Sequence, residues 1–336
     1  MTRTGTGSAR VIGWLGLGAI AGVALLESGL GIVGPLRAPK LADLRAAAQA
    51  VRAEISGRDV IAVAPSWIDP LVRSELGDLM PIERLGRPDS LRYPHIFELG
   101  FRGARHADTR GLTPDFERSF GGFALRRYTQ AAVEVSYDLV EHFLDAKVLQ
   151  YPLNAPLPPS GPSGPAADLD GAMPLSALCL FRGLQPTACP PPGPAGAFFC
   201  PLGRVERRTL EIAYQPRYGL SIIVGEGQVT ELTWSSIPAA AWQGASLHLW
   251  LGLHDYHARK NAIGPAQVIV DLDGRQGVSS FAVTPAVGER ELAHAVVALP
   301  AATGSTPSET THRITLRISA ASAAHHNVGV LAELRR

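Results

Sequence analysis

From Arg207 to the C-terminus the chain shows no helical periodicity. It repeats short apolar stretches near 207–213, 219–224, 228–234, 246–252, 267–272, 278–283, 290–299, 312–319 and 326–333. Between Arg313 and Ile318 the residues Ile314, Leu316 and Ile318 alternate with Arg313, Thr315 and Arg317, placing three apolar side chains on one face of a strand. Turn signals such as Asp273-Gly274 and Val287-Gly288 separate the runs. Nine short strands without intervening helices argue against a parallel sheet and predict a β-sandwich, jelly-roll-like in its strand count, although a barrel would satisfy the same pattern.

Three further β-type stretches, at 123–129, 132–140 and 145–150, follow Gly121 and Gly122, so the sandwich is expected over 119–336. The interval 151–201 holds 13 prolines. Proline removes a ladder donor, so this interval reads as a loop inserted in the sheet domain. Upstream, Leu41, Leu44, Ala47, Ala48 and Val51 recur at helical spacing, and Val60 to Ala64 is a continuous apolar run typical of a strand buried on both faces. A second helix from Ser66 to Leu76 and a strand over 95–100 complete a small α/β unit, expected over 35–118. The fold class is therefore α+β and multidomain.

The first 34 residues add a third element. After a short head at 1–10, residues 11–34 carry one charge, Glu27, and at about 1.5 Å per residue they are long enough to cross roughly 30 Å of hydrocarbon. They read as a transmembrane signal anchor with the bulk outside the cytoplasm, single-pass and periplasmic or extracellular; a cleaved secretory signal is the rival. Arg3 and Arg10 before the stretch and Arg37, Lys40 and Arg45 after it leave the orientation unset. Gly18 and Gly22 match a helix-dimer pattern, and Gly29, Gly31 and Gly34 match a dinucleotide-loop pattern. Neither is adopted, since Gly-rich spans produce the first by chance and the second needs a strand before it. With 31 Lys and Arg against 30 Asp and Glu, the chain has no net field to draw nucleic acid.

Cys189 and Cys200 flank a Pro-rich dozen residues that a disulfide would close, with Cys179 an alternative partner. Their spacing matches no zinc knuckle, and no metal or cofactor is expected. The densest polar group, His254, Asp255, Tyr256, His257, Arg259, Lys260 and Asn261, follows the strand at 246–252 and suits a sugar or an acidic ligand. Trp234, Trp242 and Trp250 fall eight apart; Trp242, in a turn-like AAAWQG, is expected to be exposed and available for stacking. Candidate catalytic residues lie in the α/β unit. Ser66 and Asp69 sit beyond the first strand, where open α/β sheets bind ligands, although Ser66 lacks a nucleophile elbow and reads equally as a helix cap. His95 and Glu98 would form an acid/base pair if both faced one cleft.

The segments GRDVIAVAPSWIDPLVRSELGDLMP, RYPHIFELGFRGAR and LGLHDYHARKN resemble extracytoplasmic portions of bacterial envelope proteins. Some of these are similar to soluble regions appended to polytopic, polyprenyl-sugar-dependent glycosyltransferases. Those transferases need many spans and this chain has one hydrophobic stretch. The resemblance thus implies an accessory or recognition part for envelope glycans, with the sandwich resembling carbohydrate-binding modules. The expected function is a membrane-anchored extracytoplasmic binding or assembly component. A glycan- or lipid-linked-sugar-processing enzyme and a structural subunit of a membrane protein complex are the alternatives.

Overall fold

A computed structural model describes residues 22–24, 38–153, 187–190, 196–201, 203–212, 215–256, 265–273, 275–283, 292–300, 311–320 and 326–336. The stretch 11–34 lies outside them apart from 22–24, which are helical, and no helix among the described residues is long and apolar enough to cross a membrane.

The α/β unit is one four-stranded sheet whose two longer helices pack on one face, while Leu85 of a short third helix also packs against Val60, Ala62 and Ile96 on the other. Helix α1 (Leu41–Glu54) precedes β1 (Val60–Ala64), α2 (Asp69–Leu76) and the short α3 (Ile82–Leu85), followed by β2 (His95–Phe101), β3 (Phe116–Phe120) and β4 (Phe123–Thr129). The spatial order is β1-β2-β4-β3, with only β1 and β2 parallel. Leu44, Ala47, Ala48 and Val51 of α1 pack on Ile61, Val63, Phe97, Leu99, Phe123 and Leu125. That seam is the helical spacing meeting one strand face. The strand at 123–129, assigned from its sequence to the sandwich, pairs here with β2 instead. Alternation identifies a strand but not its sheet, so the unit ends near Thr129 rather than at 118.

The sandwich consists of two antiparallel sheets. One runs β15 (Ala293–Ala298), β12 (Ser246–Leu253), β17 (His326–Arg335), β10 (Gln215–Val224), β9 (Gly203–Ile212) and β8 (Ala197–Cys200), with β5 (Val135–Asp138) pairing onto β17. The other runs β14 (Arg275–Val283), β13 (Ala266–Leu272), β16 (Thr311–Ala320), β11 (Gln228–Pro238), β6 (Lys147–Pro152) and β7 (Thr187–Ala188). All nine stretches read from Arg207 onward are strands. The Pro-rich interval is not wholly loop, since β7 and β8 lie within it. Both occupy sheet edges, where a neighbouring proline breaks no central ladder. Residues 154–186 and 191–195, with Cys179 among them, lie outside the described set.

Cys189 and Cys200 form the expected disulfide, directly after β7 of one sheet and at the end of β8 of the other. Closing a loop of that length stabilises a fold by about 3 kcal/mol in the chain-entropy account. Replacing both cysteines by serine should lower stability by about 2–4 kcal/mol in urea denaturation, and a loss below about 1 kcal/mol would mean that the sheets hold this edge without it.

The two parts meet along an ionic seam. The loop between α3 and β2 places Arg87 against Asp138 (2.8 Å) and Glu141, Arg92 against Glu333 (3.1 Å), and Asp89 against both guanidinium nitrogens of Arg335 (2.9 and 3.2 Å). Gly86 lies flat on β10, where a Cβ would come within 2.6 Å of the Tyr218 nitrogen, and its carbonyl accepts that N–H at 2.8 Å. A side chain there would push the loop off the sandwich.

Candidate functional site

The carboxylates of the α/β unit do not converge. Successive side chains of a strand point to opposite faces, so His95 and Glu98, three apart on β2, cannot share a cleft. Glu98 is fully buried and accepts from Arg126 Nη1 at 3.0 Å, the His106 amide at 2.9 Å and the Thr109 hydroxyl, with Arg105 Nε in ion-pair contact at 3.1 Å. Burial pushes its carboxyl up, but the Thr109, His106 and Arg126 hydrogen bonds and the Arg105 charge outweigh burial and hold it below the usual range. A carboxylate so tied is a structural anion. Asp69 is paired with Arg73 at 2.5 Å, one turn along α2. Ser66 is exposed and caps neither the short turn it opens nor α2.

His95 is held by Asp59 instead, Nδ1 to Oδ1 at 2.8 Å, with Asp59 only 2% exposed. Burial raises the Asp59 carboxyl, while the Ser56 amide and His95 lower it further and leave it ionised. A buried carboxylate orienting a half-exposed imidazole is half of a general-base arrangement. No hydroxyl or thiol hydrogen-bonds to His95 among the described residues. The dyad also lies at the amino end of the parallel pair, opposite the ligand-binding end of open α/β sheets.

The tryptophans form no stacking platform. Trp242 is 1% exposed, stacked on His312 at 4.4 Å, with its indole N–H donated to the Pro300 carbonyl. The expected exposure fails because the AAAW segment is a short helix (α4, Ala239–Trp242) that turns the ring inward. Trp234 is buried, and Trp250 lies between His294 (4.6 Å, stacked) and the Arg335 guanidinium (4.4 Å). At the end of β12, Asp255 is buried and Tyr256 is half exposed, and the His254 amide donates to the Asn327 carbonyl at 2.9 Å. His257, Arg259, Lys260 and Asn261 lie outside the described residues, so this group is seen only in part.

Polar groups do converge on the outer face of the β13-β16-β11-β6 sheet. Leu232, Leu316, Val270 and Val148 fill the core, so their neighbours Glu231, Arg317, Asp271 and Lys147 face away from it. Cross-strand pairing sets Glu231 opposite Arg317, and Thr233 opposite both Thr315 and Lys147, with Asp271 next to Thr315. Arg317 Nη2 bonds to Asp271 at 2.7 Å, the Tyr151 hydroxyl donates to Glu231 at 3.0 Å, and the Thr233 and Thr315 hydroxyls meet at 3.0 Å. Burial and the Glu231 charge push the Tyr151 phenol well up, so it stays a donor. Arg317 is 8% exposed, and its Nε has no hydrogen-bond partner among the described residues. Glu231, Thr233 and Asp271 remain half-buried at the rim. Among the described residues no group of three or more His, Cys, Asp or Glu could hold a metal ion.

No family model matches the chain, and no curated protein matches it. Among solved structures it is similar to CBM51-2 with INT domains from Clostridium perfringens ZmpB, in complex with GlcNAc (15% identity, 39% of this chain, 25% of that chain, TM-score 0.26). It is also similar to CBM51 from Clostridium perfringens GH95 in complex with methyl-galactose (14% identity, 38% of this chain, 80% of that chain, TM-score 0.24) and to an exo-beta-agarase (14% identity, 43% of this chain, 23% of that chain, TM-score 0.26). The match spans about a quarter of the first of these chains. Likeness at these scores assigns neither ligand nor activity.

Proposed function

We propose that the chain is a tethered binding component of a cell envelope whose sandwich recognises a polyhydroxylated ligand, a glycan, on the outer face of the β13-β16-β11-β6 sheet. The observation that carries this reading is Arg317, buried outside the core with Nε unpaired, between the carboxylates of Asp271 and Glu231 and beside two threonine hydroxyls. A guanidinium fork next to carboxylates offers donors and acceptors at the spacing of vicinal sugar hydroxyls. Cross-strand pairing alone would account for the Arg317–Asp271 contact, but it leaves Nε unsatisfied at a cost of about 1–3 kcal/mol. The apolar stretch 11–34 supports the tether, with residues beyond Leu36 on the outer side of the membrane. No covalent step is assigned.

The test is a glycan array with the full chain, compared with Asp271→Asn and Glu231→Gln, which preserve shape and remove charge. Binding to any saccharide hit should fall about tenfold or more in each variant, as expected for a lost charge-assisted hydrogen bond, measured well below the melting temperature of Asp271→Asn, which is lowered because Arg317 loses its buried partner. A His254→Ala/Arg259→Ala variant should bind as the parent does. Loss confined to that double variant would move the site to the β12 strand end and overturn this reading.

A further inference from the structure

We propose that the carboxyl end of the β1-β2 pair is a membrane-apposed face that rests on the headgroups of an anionic bilayer. Trp67 is 62% exposed and Leu41 40%, and Lys40, Arg102 and Arg118 around them are exposed cations. Direct contacts gather these residues at one end of the α/β unit. Trp67 meets Phe101 edge-on at 5.8 Å, and the Arg102 guanidinium lies 5.3 Å from the same ring. The Arg102 amide donates to the Gly122 carbonyl at 2.9 Å, and the Gly122 amide reaches Asp43, in the first turn of α1, at 3.4 Å. Arg118 covers Phe120, at the same β3-β4 turn. Arg102 has a left-handed φ of 54° beside Gly103 at 78°, a tight turn that projects the end outward.

The chain reaches this end directly from the apolar stretch, and that decides the occupant. Six residues, 35–40, separate Gly34 from α1, and fully extended they span at most about 20 Å. With 11–34 in a bilayer, the Trp67 end cannot leave the headgroup region by more than that distance. An exposed indole suits the polar–apolar boundary, and each cation near an anionic surface adds attraction that falls off within a Debye length. Of the local acids Asp69 is neutralised by Arg73, and Asp43, bonded to the Gly122 amide, offsets one of the three cations. The inference rests on the tether proposed above.

The experiment uses the full chain, with Cys179→Ser, in vesicles of equal parts phosphatidylglycerol and phosphatidylcholine carrying a headgroup nitroxide. One fluorophore is attached at Ser66→Cys and, separately, at Arg58→Cys on the opposite end of β1. The face predicts strong quenching at 66 and little at 58. It also predicts loss of most of the quenching at 66 when Arg102 and Arg118 are both changed to Glu, or when the vesicles are pure phosphatidylcholine. Failure of the protein to co-float with vesicles would remove the tether and the face together. Co-flotation with equal quenching at the two positions would remove the face alone, as would weak quenching at both, the result expected if a protein partner covers this end. Quenching at 66 that ignores both charge reversal and lipid charge would overturn the anionic surface as occupant.

Discussion

Arg335→Ala is expected to destabilise the folded chain by about 3–5 kcal/mol, the range for removing one partner of a buried ion pair. Arg335 is 3% exposed and holds three groups at once: Asp89 through both terminal nitrogens, Glu333 through Nε at 2.9 Å, and the face of Trp250. Its loss leaves Glu333, 1% exposed, with Arg92 at 3.1 Å and the more distant Arg87 at 3.9 Å as its remaining cations. Burial already pushes the Glu333 carboxyl above its ordinary value, with Arg335 and Arg92 pulling it back in part. Without Arg335 it rises further, so the sign of the pH effect is fixed. A carboxyl whose folded pKa is raised loses stability as pH climbs through that value. The deficit of the variant should therefore be largest at neutral pH and shrink toward pH 4.5, the ordinary value. Urea midpoints across that range test this, and a loss under about 1 kcal/mol would show the seam to be an exposed contact.

Glu98→Gln should cost a comparable amount, about 3 kcal/mol at neutral pH, but with a different pH signature. The native carboxyl is depressed, so its contribution is complete above its ordinary 4.5 and disappears as pH falls through the lower folded value. Parent and variant should converge below pH 4.5, because the protonated parent also donates where Arg105 and Arg126 need an acceptor. A gap that stays constant down to the acid limit would mean that shape at position 98, rather than charge, holds the 102–112 loop against the sheet.

The sandwich was legible because its signal is local. Ile314, Leu316 and Ile318 alternate within one strand, and turn residues mark off the other short apolar runs. Sheet membership was not local. Nothing within Phe123–Thr129 says that Leu125 will lie opposite Leu99, which is why the boundary between the two parts moved. The site was half legible in the same sense. The alternation of Arg313, Thr315 and Arg317 marks an outward polar face, but the partners of that face lie 46 and 86 residues away in Asp271 and Glu231 and meet it only through strand pairing. The polar group at 254–261 was conspicuous because it is contiguous, and contiguity is no measure of convergence. Trp242 misled for a related reason, since AAAWQG reads as a turn until four residues coil into α4 and stack the ring on His312.

A crystal structure of the protein with the saccharide that binds it best would bear most directly on the recognition face. Sugar hydroxyls should lie within hydrogen-bonding distance of the half-buried Asp271, Glu231 or Thr233 side chains around Arg317. A sugar seated elsewhere, with these side chains untouched, would contradict the assignment.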